Sequence, residues 1–234
     1  MNFFIPKSLL KKEVFAFLLA VNFIVGYQIQ AATRNTLLSQ PSNGPADSTI
    51  AKTPTDISPL LVGESVPLIS LPDAKGNMVS LKEKLREKPS ILIFYRGGWC
   101  PFCNKQLAAI QKIEGELRKM GYQIIAISTD SPENLTKTMD KERLTYTLLS
   151  DSEITLSKQF GIAYTGPTSY GTLLLEGSNG KNKDKLLPVP SVFIVDTNGI
   201  IQFEYINPDF KQRINPDILQ SVAGAIMKAN KSKS

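Results

Sequence analysis

The chain has 234 residues, carries 27 Lys and Arg against 21 Asp and Glu for a formal charge of +6, and contains two cysteines and no histidine. One chain therefore lacks the four ligands of a Cys/His metal site, and no metal is expected. The positive excess is spread out, with small clusters at Lys181, Lys183 and Lys185 and in the C-terminal tail. It lacks the dense stripe with interleaved aromatics that a nucleic-acid surface needs, so no nucleic-acid partner is expected.

Residues 1–32 read as a signal peptide: Lys7, Lys11 and Lys12 precede an apolar run over 14–27 broken only by Asn22, and the small residues Ala31 and Ala32 follow. The run is short for a spanning helix, so export is expected, with membrane association only if the segment stays uncleaved. Residues 33–60, rich in Ser, Thr and Pro, are expected to form a flexible linker because they offer too little apolar surface to offset their ordering entropy. The folded domain is placed at 61–230, roughly 170 residues, enough for one substantial core. Stretches 66–71 and 78–81 flank the turn-rich 72–77 and predict a hairpin. Residues 81–87 predict a short charged helix or turn.

Then comes Ile-Leu-Ile-Phe-Tyr-Arg-Gly-Gly-Trp-Cys-Pro-Phe-Cys over 91–103. Five consecutive apolar or aromatic residues mark a strand buried on both faces. Arg96, Gly97 and Gly98 form a flexible turn, and Cys100 and Cys103 sit where the strand feeds a helix. Helix-end amides and the macrodipole favour a thiolate there, and Pro101 suits the first helical turn. The pair therefore predicts a redox dithiol, with Cys100 exposed as attacker and Cys103 a turn further in as resolver. No cofactor is required for that chemistry.

Leu107, Ile110, Ile113 and Leu117 continue the helix to Met120, with Gly121 at its end. A strand is predicted over 122–128. A helix with Ser131 and Pro132 at its start should run to about 144, followed by a strand over 146–149 and a helix over 153–160. The alternation predicts a mostly parallel α/β sheet. Residues 164–187 read as an irregular insert. A strand over 191–196, the Asn198–Gly199 turn and a partner strand over 200–206 predict a hairpin, and a helix over 217–229 closes the chain.

Taken together, the hairpin, Phe-Tyr-Arg-Gly-Gly-Trp-Cys-Pro-Phe-Cys-Asn, Val189-Pro190 before Phe-Ile-Val-Asp, and the Asn-Gly turn resemble the peroxiredoxin-like proteins of the AhpC/TSA redoxin superfamily over roughly residues 61–225. The resemblance implies an α/β thioredoxin-like fold, with a central mixed sheet flanked by helices and an N-terminal hairpin. It also implies a cis Pro190 beside the two sulfurs. Residues 207–210 with Arg213 look like the same subgroup. Peroxiredoxins resemble Pro-x-x-x-Thr-x-x-Cys at this turn. Their peroxidatic cysteine falls on Cys103, their threonine on Cys100 and their remote arginine on Pro190, and no proline stands near Gly98 or Trp99.

The residues favour an exported thiol–disulfide oxidoreductase acting on protein thiols and disulfides. The alternative is a thiol-dependent peroxidase that reduces hydrogen peroxide or organic hydroperoxides, draws on an external thiol reductant and uses Arg96 in place of the missing arginine. A third reading is a redox-sensitive binding module that holds a partner through its insert. Trp99 is expected to pack against the dithiol.

Overall fold

The computed structural model describes residues 50–232. Its elements are β1 (Ser70–Pro72), β2 (Met78–Ser80), α1 (Leu81–Glu87), β3 (Ser90–Tyr95), α2 (Pro101–Lys119), β4 (Gln123–Ser128), α3 (Pro132–Glu142), β5 (Thr147–Ser150), α4 (Thr155–Gln159), β6 (Ala163–Thr165), α5 (Gly171–Gly177), β7 (Leu186–Pro188), β8 (Ser191–Val195), β9 (Ile201–Ile206) and α6 (Pro216–Lys231). The expected signal peptide and the linker up to residue 49 lie outside the described residues. Among the described residues no helix is long and apolar enough to cross a membrane.

The central sheet runs β5-β4-β3-β8-β9. β3 pairs in parallel with β4, and β4 with β5, whereas β8 lies antiparallel to both β3 and β9. The sheet is therefore mixed rather than mostly parallel. The β8–β9 reversal follows from the Asn198–Gly199 turn: two strands joined so tightly must pair antiparallel, and Gly199 supplies the required φ of +83°.

All six residues of β3 are buried because both faces are covered. Ile91, Ile93 and Tyr95 face one core with Leu107, Ile110 and Leu117 of α2 and Leu219 and Ala223 of α6. Leu92 and Phe94 face the other, with Leu81 and Leu85 of α1, Leu156 of α4 and Phe160 just after it. Each such side chain contributes about 1.5–3 kcal/mol of burial. Layering helices on a mixed sheet gives the α/β thioredoxin-like fold.

Three expectations change. The flexible linker does not extend to residue 60. The Thr165 N–H reaches the Ala51 carbonyl at 2.9 Å, Ser58 and Leu60 donate to the Gly161 and Phe160 carbonyls, and Ile57 and Leu60 pack on the second core. A polar segment needs only a few anchors when the surface beneath supplies backbone partners. The insert is not irregular either: β6 and β7 form a two-stranded ladder, and Leu174, Leu187 and Val189 close a small core beneath it. Finally, no peptide bond is cis among the described residues, so Pro190 follows a trans bond. Its neighbours hold the chain extended, with the Val189 N–H on the Ile162 carbonyl and the Ser191 hydroxyl on the Val189 carbonyl.

Gly161 shows how closely the N-terminal segment is seated. Its φ is +67°, and a Cβ there would stand 1.9 Å from the Ser58 carbonyl oxygen. Gly161→Ala combines a strained backbone with a backbone collision, so stability should fall by about 2 kcal/mol or more. A urea midpoint equal to that of the parent would show that residues 50–60 are not held against the domain.

Candidate active site

The two glycines after β3 are required by crowding. Gly97 has φ +147°, and a Cβ there would meet Trp99 Nε1 at 2.3 Å and Asp130 Oδ1 at 2.8 Å. A Cβ on Gly98 would stand 1.9 Å from Thr138 Oγ1. The backbone can therefore lie flat against the start of α3. Three side chains fix it there: Asp130 accepts the Gly98 N–H at 2.7 Å, Asn104 donates to the Gly98 carbonyl at 2.8 Å, and Thr129 donates to the Arg96 carbonyl at 3.1 Å. Asp130 is itself buried, which pushes its carboxyl up to about 6 against the opposing pull of the Gly98 and Ser128 hydrogen bonds.

Cys100 then takes the position before α2, with Pro101 in its first turn as expected and Cys103 one turn in. Both cysteines are free thiols. Contrary to expectation, Cys100 is not exposed: it is 1 % accessible and Cys103 is wholly buried. The ionisation of the two sulfurs nevertheless splits. The Cys100 thiol is lowered to about 6, chiefly because the Cys103 thiol donates a hydrogen bond to it. The Cys103 N–H and the charges of Arg96 and Arg213 add to this, and burial opposes it. Cys103 is pushed well above its usual range by burial and by its bond to Cys100. The arrangement supplies one thiolate and one protonated partner.

Each sulfur has its own guanidinium. Arg96 Nη1 lies 4.0 Å from Cys100 Sγ, and Arg213 Nη2 lies 3.5 Å from Cys103 Sγ. Arg96 is only 2 % exposed, and its Cζ sits 4.9 Å from the Trp99 ring, 4.9 Å from the Tyr170 ring and 4.2 Å from the Phe210 ring. Such contacts contribute about 0.5–2 kcal/mol each and exclude water from the charge. Among the described residues neither arginine forms an ion pair with a carboxylate. The Nε atoms of both are buried without a hydrogen-bond partner. Arg96 thus sets its positive charge against the Cys100 sulfur and favours the thiolate there.

Of the residues singled out by sequence, the structure brings Arg96, Trp99, Cys100, Pro101 and Cys103 together. Pro190 is buried just before β8, and its carbonyl accepts the Asn207 N–H at 3.3 Å. Arg213, whose role the resemblance left open, proves to be a direct neighbour of Cys103, and Phe210 lies over Arg96. Tyr170 and Asp130 carried no sequence signal beyond, for Asp130, its place just past a parallel strand, where α/β sheets gather functional groups. A recess of about 680 Å³ opens beside Gly98 and Trp99, and neither sulfur lines it.

Comparison with known proteins agrees with this geometry. The profile of the AhpC/TSA family matches residues 62–204. The chain is 32 % identical over 163 residues to peroxiredoxin Bcp of Escherichia coli K12, covering 70 % of this chain and 95 % of that protein. It is 29 % identical to chloroplastic peroxiredoxin Q of Gentiana triflora, over 77 % of this chain and 75 % of the relative. Among solved structures, peroxidoxin BcpB of Mycobacterium tuberculosis superimposes with a TM-score of 0.57 at 25 % identity, covering 72 % of this chain and 96 % of the other.

Proposed function

Since the chain belongs to the AhpC/TSA family, we propose that it is a thiol-dependent peroxidase in which Cys100 is the peroxidatic residue and Cys103 resolves it. This takes the place of disulfide exchange as the leading reading. The observation that carries it is the Cys100 thiol held at about 6 beside a caged guanidinium, under a cover that leaves the residue 1 % exposed. Exchange with a folded disulfide needs an accessible sulfur, whereas a peroxide needs a thiolate and a positive charge on the departing oxygen. The Cys-x-x-Cys spacing and the helix-start position are what support exchange, and they serve the resolving step equally well.

In the proposed cycle the Cys100 thiolate attacks the terminal oxygen of ROOH. An S–O bond forms, the O–O bond breaks, and RO⁻ leaves next to Arg96 and takes up a proton. The sulfur is oxidised to sulfenic acid and the peroxide is reduced to ROH. The Cys103 sulfur then attacks the sulfenic sulfur, expelling water and closing the disulfide. Two equivalents of an external thiol restore the dithiol and emerge as their own disulfide. An exported location, the expectation from residues 1–32, fits this cycle if the reductant is available outside the cytoplasm.

The pH profile tests the assignment. The thiolate reacts and the thiol does not, so the second-order rate with hydrogen peroxide should rise with pH through about 6 and level off by about pH 8. Stopped-flow emission of Trp99, the single tryptophan, supplies the readout. Because Asp130 titrates in the same range, the profile is repeated in Asp130→Asn, which should retain the inflection. A rate that climbs only above about pH 8, or no peroxide consumption while a disulfide substrate is reduced quickly, would return the protein to disulfide exchange.

A further inference from the structure

The segment linking β9 to α6 crosses the dithiol. The Asn207 and Asp209 side chains accept N–H groups two residues on, from Asp209 and Lys211, each at 3.0 Å, so the turn is set by its own side chains. Ile214, 4 % exposed, fixes the far end in the main core, and Asn215 caps α6. Asp209, Lys211 and Gln212 face solvent. Between the anchors, the Phe210 ring covers Arg96 and meets Phe102 edge-on at 5.6 Å. Arg213 donates to the carbonyls of Phe210 and Gln212 and reaches Cys103.

Building on the peroxidase reading, we infer that this strap is the size filter for the oxidant, with Phe210 as its specificity-determining residue. Over Cys100 lies Arg96, and over Arg96 lie Phe210, Trp99 and Tyr170. The Trp99 and Tyr170 rings brace one another at 5.5 Å. Trp99 belongs to the pinned loop and Tyr170 precedes α5, whereas Phe210 stands on a surface segment whose residues Asp209, Lys211 and Gln212 face solvent and which is tied down between its ends only by the Arg213–Cys103 contact and the packing of the Phe210 ring. It is the ring that can yield. Hydrogen peroxide is little larger than water and passes on a small rotation of that ring. A bulky hydroperoxide or a disulfide must align its scissile bond with the sulfur. That requires lifting the strap, parting Phe210 from Phe102 and drawing Arg213 off Cys103.

Alkylation of the reduced protein reads the seal without turnover. Wild type, Phe210→Ala and Phe210→Leu are treated with iodoacetamide and with fluorescein maleimide, and the Cys100 adduct is followed by mass spectrometry. Thiolate absorbance measured in parallel corrects each rate for ionisation. Phe210→Ala should raise the corrected maleimide rate at least about tenfold while changing the iodoacetamide rate less than about threefold, and Phe210→Leu should track wild type. The Ala variant should likewise gain at least about tenfold in its preference for cumene hydroperoxide relative to hydrogen peroxide. Should Phe210→Ala fold poorly, wild type alone suffices, because urea unfolding must erase its discrimination between the two alkylating reagents. Equal acceleration of both reagents in the Ala variant, or a wild type that reacts as readily with maleimide folded as unfolded, overturns the filter. Absence of peroxide consumption with size-selective alkylation intact overturns the peroxidase reading and leaves the filter standing.

Discussion

Cys100→Ser is expected to lower peroxide consumption by about 10³-fold or more, because no other residue combines a lowered thiol with a guanidinium (Arg96) at hydrogen-bonding range. Cys103→Ser should behave differently. Its hydroxyl still donates to the Cys100 sulfur, so the thiolate persists, one equivalent of peroxide is consumed, and the enzyme stops as a sulfenate that dimedone captures. Cys103→Ala removes the largest cause of the lowered Cys100 thiol. The same first step should then be slower at pH 7 and should recover as pH rises. The Ser/Ala contrast separates loss of the resolving sulfur from loss of the hydrogen-bond donor. The competing assignment puts the peroxidatic residue at Cys103, where the family's motif aligns it and where Arg213 is nearest. If Cys100→Ser still forms a sulfenate quickly at Cys103, the two roles are reversed.

What the sequence revealed of this site was whatever is encoded locally. The apolar run of β3, the glycine turn, the cysteines and the helical spacing of Leu107, Ile110 and Leu117 all fall within one strand–turn–helix unit, where periodicity and φ requirements are set by near neighbours. What it hid depends on returns of the chain from far away. Arg213 meets Cys103 across 110 positions, and although its stretch resembles the family's, nothing local shows that its side chain returns to the dithiol. Tyr170 lies in a glycine-rich stretch whose turn signals are real. Its order comes from Leu174 and Leu187, which bury only when β6 and β7 pair. The same blindness made Cys100 look exposed: a helix start is open until a distant segment covers it. The order of residues 50–60 is hidden for the complementary reason, since composition measures the surface a segment can bury but not the backbone partners the Phe160–Gly161 turn offers it.

Arg96→Met should uncouple activity from stability. Methionine keeps an unbranched apolar stem of similar length, so the space enclosed by Trp99, Tyr170 and Phe210 stays filled while the charge goes. Without it, the Cys100 thiol titrates higher and the departing oxygen loses its nearby cation, so the peroxide rate at pH 7 should fall by about 10²–10³-fold. Raising the pH restores only the part due to ionisation, and a deficit at pH 9 measures the part due to the leaving group. Stability should move the other way. A buried guanidinium without a carboxylate partner is costly, and replacing buried charge with apolar volume is often neutral or stabilising by up to about 4 kcal/mol. The balance depends on the thiolate. A thiol lowered to about 6 stabilises the fold above that pH and ceases to do so as pH falls through it. The advantage of Arg96→Met should therefore be smallest for reduced protein at pH 8, larger at pH 5, and largest for the disulfide form at any pH, where the anion is gone. Thermal midpoints of reduced and oxidised protein at the two pH values measure this directly. If the variant is equally destabilised in all four conditions, Arg96 is serving as packing, and its charge is not set against the Cys100 thiolate.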